Sequence, residues 1–168
     1  IQGITEMDHV NIRPIQQKDN PHIAKAIRSV LVEHDVPKVG TVYEDKELDC
    51  MFETYNVPKA AYFVVEYKGE IMGGAGVAPL SNFTGNVCEL QKMYFLESLR
   101  GKGIGTRMMD ACISKAIEFG YDSCYLETMP FMKGAQKLYI RTGFEYIDGP
   151  MGDTGHFSCP VHMLKHLS

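Results

Sequence analysis

The chain predicts an α/β (α+β) domain with helices on a central mixed sheet, and three features carry that expectation. Hydrophobic periodicity changes from helical to alternating and back along the chain. A glycine-rich turn, Arg100-Gly101-Lys102-Gly103-Ile104-Gly105-Thr106, joins a strand-like segment to a helix-like one. The 168 residues form one ordinary domain, long enough to bury roughly two-thirds of the unfolded surface.

Val10 to Ile15 reads as a short first strand. Asn20-Pro21 starts a helix, with Asn as the cap and Pro at the first helical position. Ile23, Ile27, Val30, Leu31 and His34 then recur at helical spacing. Leu48, Met51, Phe52 and Tyr55 predict a second helix over Lys46 to Tyr55. Ala61 to Tyr67 and Glu70 to Ala78 follow as strands around a Lys68-Gly69 hairpin turn. Gly73, Gly74 and Gly76 weaken the second strand but allow a bulge or a close backbone approach.

After the turn-rich Asn82 to Asn86, Val87 to Phe95 is the next strand. The helix after the glycine turn runs from Thr106 to Phe119, with Gly120 ending it. Ser123 to Met129 is a strand. Pro130 introduces a helix over Phe131 to Thr142, its buried stripe being Phe131, Ala135, Leu138 and Thr142, and Gly143 its C-terminal cap. Glu145 to Asp148 and His156 to Leu164 close the chain as strands, the last one edge-like or bulged because it contains Pro160. The order is strand, two helices, three strands, helix, strand, helix, two strands. The strands flanking the helix after the glycine turn form a parallel crossover if they are neighbours.

Composition excludes several functions. Hydrophobic content of 45% and charged content of 23% are those of a soluble globular protein. The net charge, 17 − 21 = −4, gives no basic field for nucleic acid. The longest apolar run, Ala60 to Val65, is too short to span a bilayer. No secretory signal is visible, and Ile1 to Glu6 reads as a flexible or non-native segment before a domain over 7–168. The five cysteines are odd in number and contain no C-x-x-C pair, which points to core residues in a reducing cytoplasm.

The glycine turn is a candidate phosphate cradle, because its amides and those of the following helix face a ligand unobstructed. Arg100 and Lys102 add positive charge there. Its spacing is not the dinucleotide G-x-G-x-x-G, and no Gly-Lys-Ser or Gly-Lys-Thr of a triphosphate loop occurs. The remaining pattern, Arg-x-x-Gly-x-Gly between strand and helix, resembles the acyl-CoA loop of the GNAT superfamily of N-acetyltransferases. Ala135-Gln136-Lys137-Leu138-Tyr139-Ile140-Arg141-Thr142-Gly143-Phe144 is similar to that family's A-x-x-L-Y-x-x-x-G-F segment, and the element order matches from Asn11 to Leu167.

The resemblance implies acetyl-CoA as cosubstrate, entering where the central strand and the next one splay apart. It implies that the backbone of Met93, Tyr94 and Phe95 binds the pantetheine arm, with one amide acting as an oxyanion donor; the side chains of Met93 and Phe95 read as core. Gly101, Gly103, Ile104, Gly105 and Thr106 would supply amides to the pyrophosphate, while Arg100 steadies the loop or meets a phosphate. Tyr139 is the implied general acid for the leaving thiolate; otherwise it is a core tyrosine. Glu89 is the candidate base, or equally a structural carboxylate. On a regular strand it shares a face with Gln91, Met93 and Phe95, an alternation that a bulge near Gln91 would flip.

Seven acids between Glu33 and Glu53 (Glu33, Asp35, Glu44, Asp45, Glu47, Asp49, Glu53) either draw in a cationic amine or form a solvated helix start. His156, Cys159, His162 and His166 match no common zinc spacing, so no metal is expected, though His156 or Cys159 could line an acceptor pocket. Two positions depart from the family pattern: Met132 replaces an Asn that contacts the cofactor arm, and Glu97 stands where a Pro is frequent. The expected activity is acetyl transfer to the primary amine of a small or amino-acid-like molecule. The alternatives are an acyl-CoA sensor without turnover and protein or peptide N-terminal acetylation. A homodimer is common in the family.

Overall fold

The computed structural model describes residues 9–130 and 133–168. Phe131 and Met132, where the last helix and the missing Asn were expected, lie outside the described residues, as do residues 1–8. The elements are β1 (Val10–Pro14), α1 (Asn20–Glu33), α2 (Met51–Tyr55), β2 (Ala61–Tyr67), β3 (Glu70–Pro79), β4 (Val87–Phe95), α3 (Ile104–Glu118), β5 (Ser123–Thr128), α4 (Lys133–Arg141), β6 (Glu145–Ile147) and β7 (Val161–His166). The order is the one expected. Among the described residues seven strands form one sheet, β1-β2-β3-β4-β5-β7-β6. The β4/β5 pair is parallel and the other pairs are antiparallel, so α3 is the crossover between neighbouring parallel strands.

Strand alternation gives the sheet two apolar faces. Ile23, Ile27 and Leu31 of α1 pack with Leu48, Met51, Tyr62 and Val64 on one side. Ile104, Met108, Cys112 and Ala116 of α3 pack with Val65, Val77, Leu90 and Leu126 on the other. Each fully buried aliphatic side chain contributes about 1.5–3 kcal/mol, so these two layers fix the orientation of β4 between them. Cys88, Cys112 and Cys124 are buried in the second core, and all five cysteines are free thiols.

Three local expectations change. Asn20 is already helical, and Asp19 holds the cap position. The Asn20 side chain accepts from the Phe52 amide at 2.8 Å and donates to Glu53 at 2.7 Å, tying α1 to α2. The helix expected over Lys46 to Tyr55 is a 3-10 turn, Lys46–Asp49, then α2, with the break at Cys50 (φ −134°); Leu48, Met51 and Tyr55 are all buried, so turn and helix serve the same stripe. The last strand starts at Val161, not His156, and lies inside the sheet between β5 and β6. Pro160 precedes its first ladder residue, so the missing amide costs no hydrogen bond. Residues 148–160 therefore form a loop. Asp153 N donates to Ser81 O at 2.9 Å, and Ser158 N donates to Gly40 O at 3.0 Å, so the loop is pinned across one end of the sheet.

Candidate active site

β4 carries the site because it loses its partner midway. Its pairing with β5 runs only from Val87 to Glu89, opposite Ser123 to Tyr125. On its other edge the register with β3 slips between Gly74 and Gly76, which face Tyr94 and Gln91. Lys92 is the extra residue, with φ +51°, and its carbonyl accepts from the buried Tyr62 hydroxyl at 2.8 Å. The Tyr62 ring lies across Gly74 and Gly76, where a Cβ would come within 2.5–2.6 Å of it. Those glycines are required by close approach.

This bulge overturns the simple alternation expected for Glu89, Gln91, Met93 and Phe95. Gln91 accepts from the Tyr55 hydroxyl at 2.5 Å and donates to Glu89 Oε1 at 2.6 Å, so Glu89 and Gln91 share the α1/α2 face. Met93 and Phe95 pack into the opposite core with Leu90, while Tyr94 packs with Tyr55 and Tyr62. The strand changes faces at Lys92.

Two clefts meet in the resulting gap. The larger, about 400 Å³, is lined by Met93, Tyr94 and Phe95, by Arg100, Gly101, Gly103, Ile104, Gly105 and Thr106, and by Leu138 and Tyr139 of α4. Gly101 (φ +76°) and Gly103 (φ +77°) adopt a left-handed backbone, and a Cβ on either meets nothing within 4 Å. Gly103 caps α3, so the first amides of that helix face the groove without intrahelical partners. A pyrophosphate fits such a cradle. Gly105 serves a different end: its Cβ position is 2.9 Å from Leu138, so glycine lets α4 close against α3.

The two cations of the loop are differently placed. Arg100 donates to Phe95 O at 2.9 and 3.1 Å and forms a bidentate pair with Glu33 of α1 at 2.7 and 2.8 Å. It locks the loop to two elements, and the Phe95 carbonyl is engaged by it. Lys102 sits 5.4 Å over the Tyr67 ring, away from the groove lining.

The smaller cleft, about 50 Å³, is lined by Glu89, Gln91 and Lys92 of β4, Glu127 of β5, Tyr139 of α4, and His156 and Cys159 of the loop 148–160. Met93, Tyr94, Ala135 and Tyr139 line both clefts. Glu89 is 4% exposed; burial, with Gln91 opposing and Glu127 adding to it, pushes its pKa up to about 7. Burial likewise raises the Tyr139 phenol above its ordinary value, keeping it protonated. Cys159 is raised to about 12 by burial and by the surrounding carboxylates, so it is a thiol, not a nucleophilic thiolate.

Glu127 is the residue that sequence reasoning missed. It accepts from the Tyr125 hydroxyl at 2.7 Å and from the Thr154 hydroxyl. Its signal was a carboxylate directly after the apolar Cys124-Tyr125-Leu126 in a strand expected to be interior, a costly burial unless partnered or functional. His156 Nε2 donates to Asp45 Oδ2, 2.8 Å away. His162 stands behind the cleft, contacting the Tyr125 hydroxyl at 3.0 Å with Nδ1 3.7 Å from Glu127, and His166 lies apart, in contact with Ser123 at 3.2 Å. Among the described residues the histidine, cysteine and carboxylate groups that converge as a set of three are Glu89, Glu127 and His156, whose ligand-type atoms lie within 4.8 Å of one another.

Of the seven acids, Asp45 reaches the cleft through His156, and Glu47 lies 4.0 Å from Lys92 Nζ. Glu33, Asp49 and Glu53 are held by Arg100, Arg28 and Asn20, and Glu44 accepts from the Gly40 amide. Among the described residues no helix is long and apolar enough to cross a membrane.

The sequence profile of the Acetyltransferase (GNAT) family matches residues 27–144. The uncharacterized N-acetyltransferase YjgM of Escherichia coli (strain K12) is 45% identical over 157 residues, 93% of this chain and 94% of that protein. Among solved structures, an acetyltransferase of the GNAT family from Staphylococcus aureus Mu50 superimposes with a TM-score of 0.83 at 21% identity, over 95% of this chain and 99% of that one. The Salmonella typhimurium yncA acetyltransferase, solved with acetyl-CoA, superimposes with a TM-score of 0.76 at 16% identity and 95% coverage of both chains. A glycine cradle at the head of α3, a strand pair that opens beside it and a profile match over most of the chain agree, and this protein belongs to the GNAT family of N-acetyltransferases.

Proposed function

We propose that the protein transfers the acetyl group of acetyl-CoA to the primary amine of a small or amino-acid-like acceptor. The observation that carries this is Tyr139, which lines both the glycine-cradled groove and the carboxylate cleft. Acetyl-CoA supplies an activated acetyl group as a thioester. Amides of Gly101 to Thr106 hold its diphosphate, and the unladdered edge of β4 at Met93 to Phe95 aligns the arm as an added strand. One main-chain amide there stabilises negative charge on the carbonyl oxygen.

Glu89 removes a proton from the acceptor's ammonium form, directly or through water, leaving the neutral amine. Its pKa of about 7 matches it to that task near neutral pH. The amine nitrogen bonds to the acetyl carbon as the carbon–sulfur bond breaks, Tyr139 gives its phenolic proton to the departing sulfur, and the proton shed by the newly acylated nitrogen restores the phenol. The cleft is small and roofed by the loop 148–160, which supports a small acceptor over a peptide. Five free cysteines accord with a reducing cytoplasm; a homodimer rests on the family resemblance.

Thiol release from acetyl-CoA across a panel of small amines tests the reading. Release with at least one primary amine, slowed by Tyr139→Phe, is the expected result. Binding of acetyl-CoA without release for every amine sinks the enzyme reading in favour of a sensor, and no heat on titration with acetyl-CoA sinks both.

A further inference from the structure

We propose that Glu127 and His156 join Glu89 in a three-point cradle that receives the acceptor as a primary ammonium ion, with Asp45 as the positioning residue that fixes the His156 tautomer. The proposal deepens the acetyl-transfer reading and rests on it. One oxygen of Glu89, one of Glu127 and a ring nitrogen of His156 lie within 4.8 Å of one another and line the same cleft. Three atoms so spaced always leave a point no more than about 2.8 Å from each, the length of a charge-assisted hydrogen bond. A primary ammonium carries three N–H donors for those three acceptors. Atoms around a first-row metal sit about 3.5 Å apart, closer than the 3.9 Å between His156 Nδ1 and Glu127 Oε1.

His156 can accept only in one tautomer. Its Nε2 is 2.8 Å from Asp45 Oδ2, which places the proton on Nε2 in the neutral ring and leaves Nδ1 as an acceptor facing Glu127. The groups around the imidazole are Asp45 from the segment before α2, Glu89 and Lys92 from β4, Glu127 from β5 and Cys159 on its own loop, with Tyr125 and His162 behind Glu127. Lys92 Nζ is 3.8 Å from Asp45 and 4.0 Å from Glu47, and it donates to the Tyr55 hydroxyl at 3.5 Å. Three carboxylates thus face a space with one lysine, itself engaged by two acids, and a cation entering it offsets their desolvation.

The cradle has a built-in pH dependence. Burial opposes charge on His156, but the hydrogen bond and charge of Asp45 outweigh it and hold its pKa above the ordinary imidazole value. When His156 is protonated, Nδ1 becomes a donor aimed at Glu127, the third acceptor is lost, and the ring repels an ammonium. Affinity for the amine falls on acidification. Each N-methyl group on the acceptor removes one of the three donors and sets a methyl group against a cradle acceptor, so a charge-assisted hydrogen bond is lost.

The test follows the His156 ring by NMR in the full chain while methylammonium chloride is added, with tetramethylammonium chloride as the ion lacking N–H. Methylammonium should shift the resonance saturably and lower the His156 pKa. Tetramethylammonium should do neither. Glu127→Gln should weaken the response tenfold or more, and Asp45→Asn should move its pH midpoint downward. Equal response to the two ions, or none, overturns the proposal; the wild-type comparison decides this even if a variant fails to fold. Acetyl-CoA calorimetry on the same sample separates the two failures: heat without an ammonium response removes the cradle alone, and absent heat removes the acetyl-transfer reading.

Discussion

The two clefts that meet at Tyr139 are made of different material. The groove of about 400 Å³ is walled mainly by backbone: two left-handed glycines, the first turn of α3 and the unpaired edge of β4. The cleft of about 50 Å³ is walled by side chains that converge from β4, β5, α4 and the loop before β7. A main-chain site recognises chemistry common to every acyl-CoA, whereas a side-chain site sets which amine reacts and at what pH. On the proposed reading, generality and selectivity are held in separate parts of one chain.

The largest expected effect tests the side-chain cleft. Glu89→Gln should lower turnover by about 10²–10⁴-fold, the span of a lost general base. In the wild type, turnover should rise as pH increases through about 7 and level off above it, because the base works deprotonated. A turnover profile flat between pH 5.5 and 8.5 removes Glu89 from the proton path.

The same carboxyl should cost the fold at alkaline pH. Its folded pKa of about 7 lies above its ordinary value of 4.5, so its protonated form favours the folded state. That stability is full below about 4.5 and is lost as pH rises through 7, an order-of-magnitude loss of about 3 kcal/mol. Glu89→Gln, which keeps the contact with Gln91 without the charge, should unfold at higher urea than wild type at pH 8 and show little gain at pH 4.5. A variant no more stable than wild type at pH 8 means the buried carboxylate is better solvated than its surroundings suggest.

The groove responds more modestly. Gly103→Ala puts a Cβ in open space but forces a non-glycine residue into the left-handed region, at about 1–2 kcal/mol. Affinity for acetyl-CoA should fall roughly 5–30-fold, with the turnover pH profile unchanged. If calorimetry finds unaltered binding, the cradle tolerates a Cβ and the loop is not the diphosphate clasp. The smallest effect is Glu33→Gln: the exposed pair with Arg100 is worth about 0.2–1 kcal/mol, so acetyl-CoA affinity should fall less than about fivefold. A larger loss would promote Arg100 from strut to direct ligand.

The element order and the glycine cradle were legible because they rest on local rules. Apolar residues at helical or alternating spacing predict their own elements, and the run from Gly101 to Gly105 needs no distant partner to predict a turn. Tyr139 was singled out through the family resemblance, and Glu89 through a strand alternation that the bulge at Lys92 interrupts. Glu127 was not singled out in the strand Ser123–Thr128, and Asp45 was one acid among seven. His156 was placed in a strand that proved to be a loop. Nothing local distinguishes Asp45 from Glu44, which bonds the Gly40 amide; the difference appears only when the loop 148–160 folds across the sheet and sets His156 beside Asp45, 111 residues away in sequence.

Alone, the sequence determined the order of helices and strands and the glycine turn that leaves backbone amides uncovered, since both follow from near-neighbour stereochemistry. Tertiary structure decided the bulge at Lys92, which comes from Tyr62 crossing Gly74 and Gly76, and with it the face on which each β4 side chain emerges. It also decided the protonation of Glu89, because burial is a property of everything packed around a group, and no stretch of chain carries that information by itself.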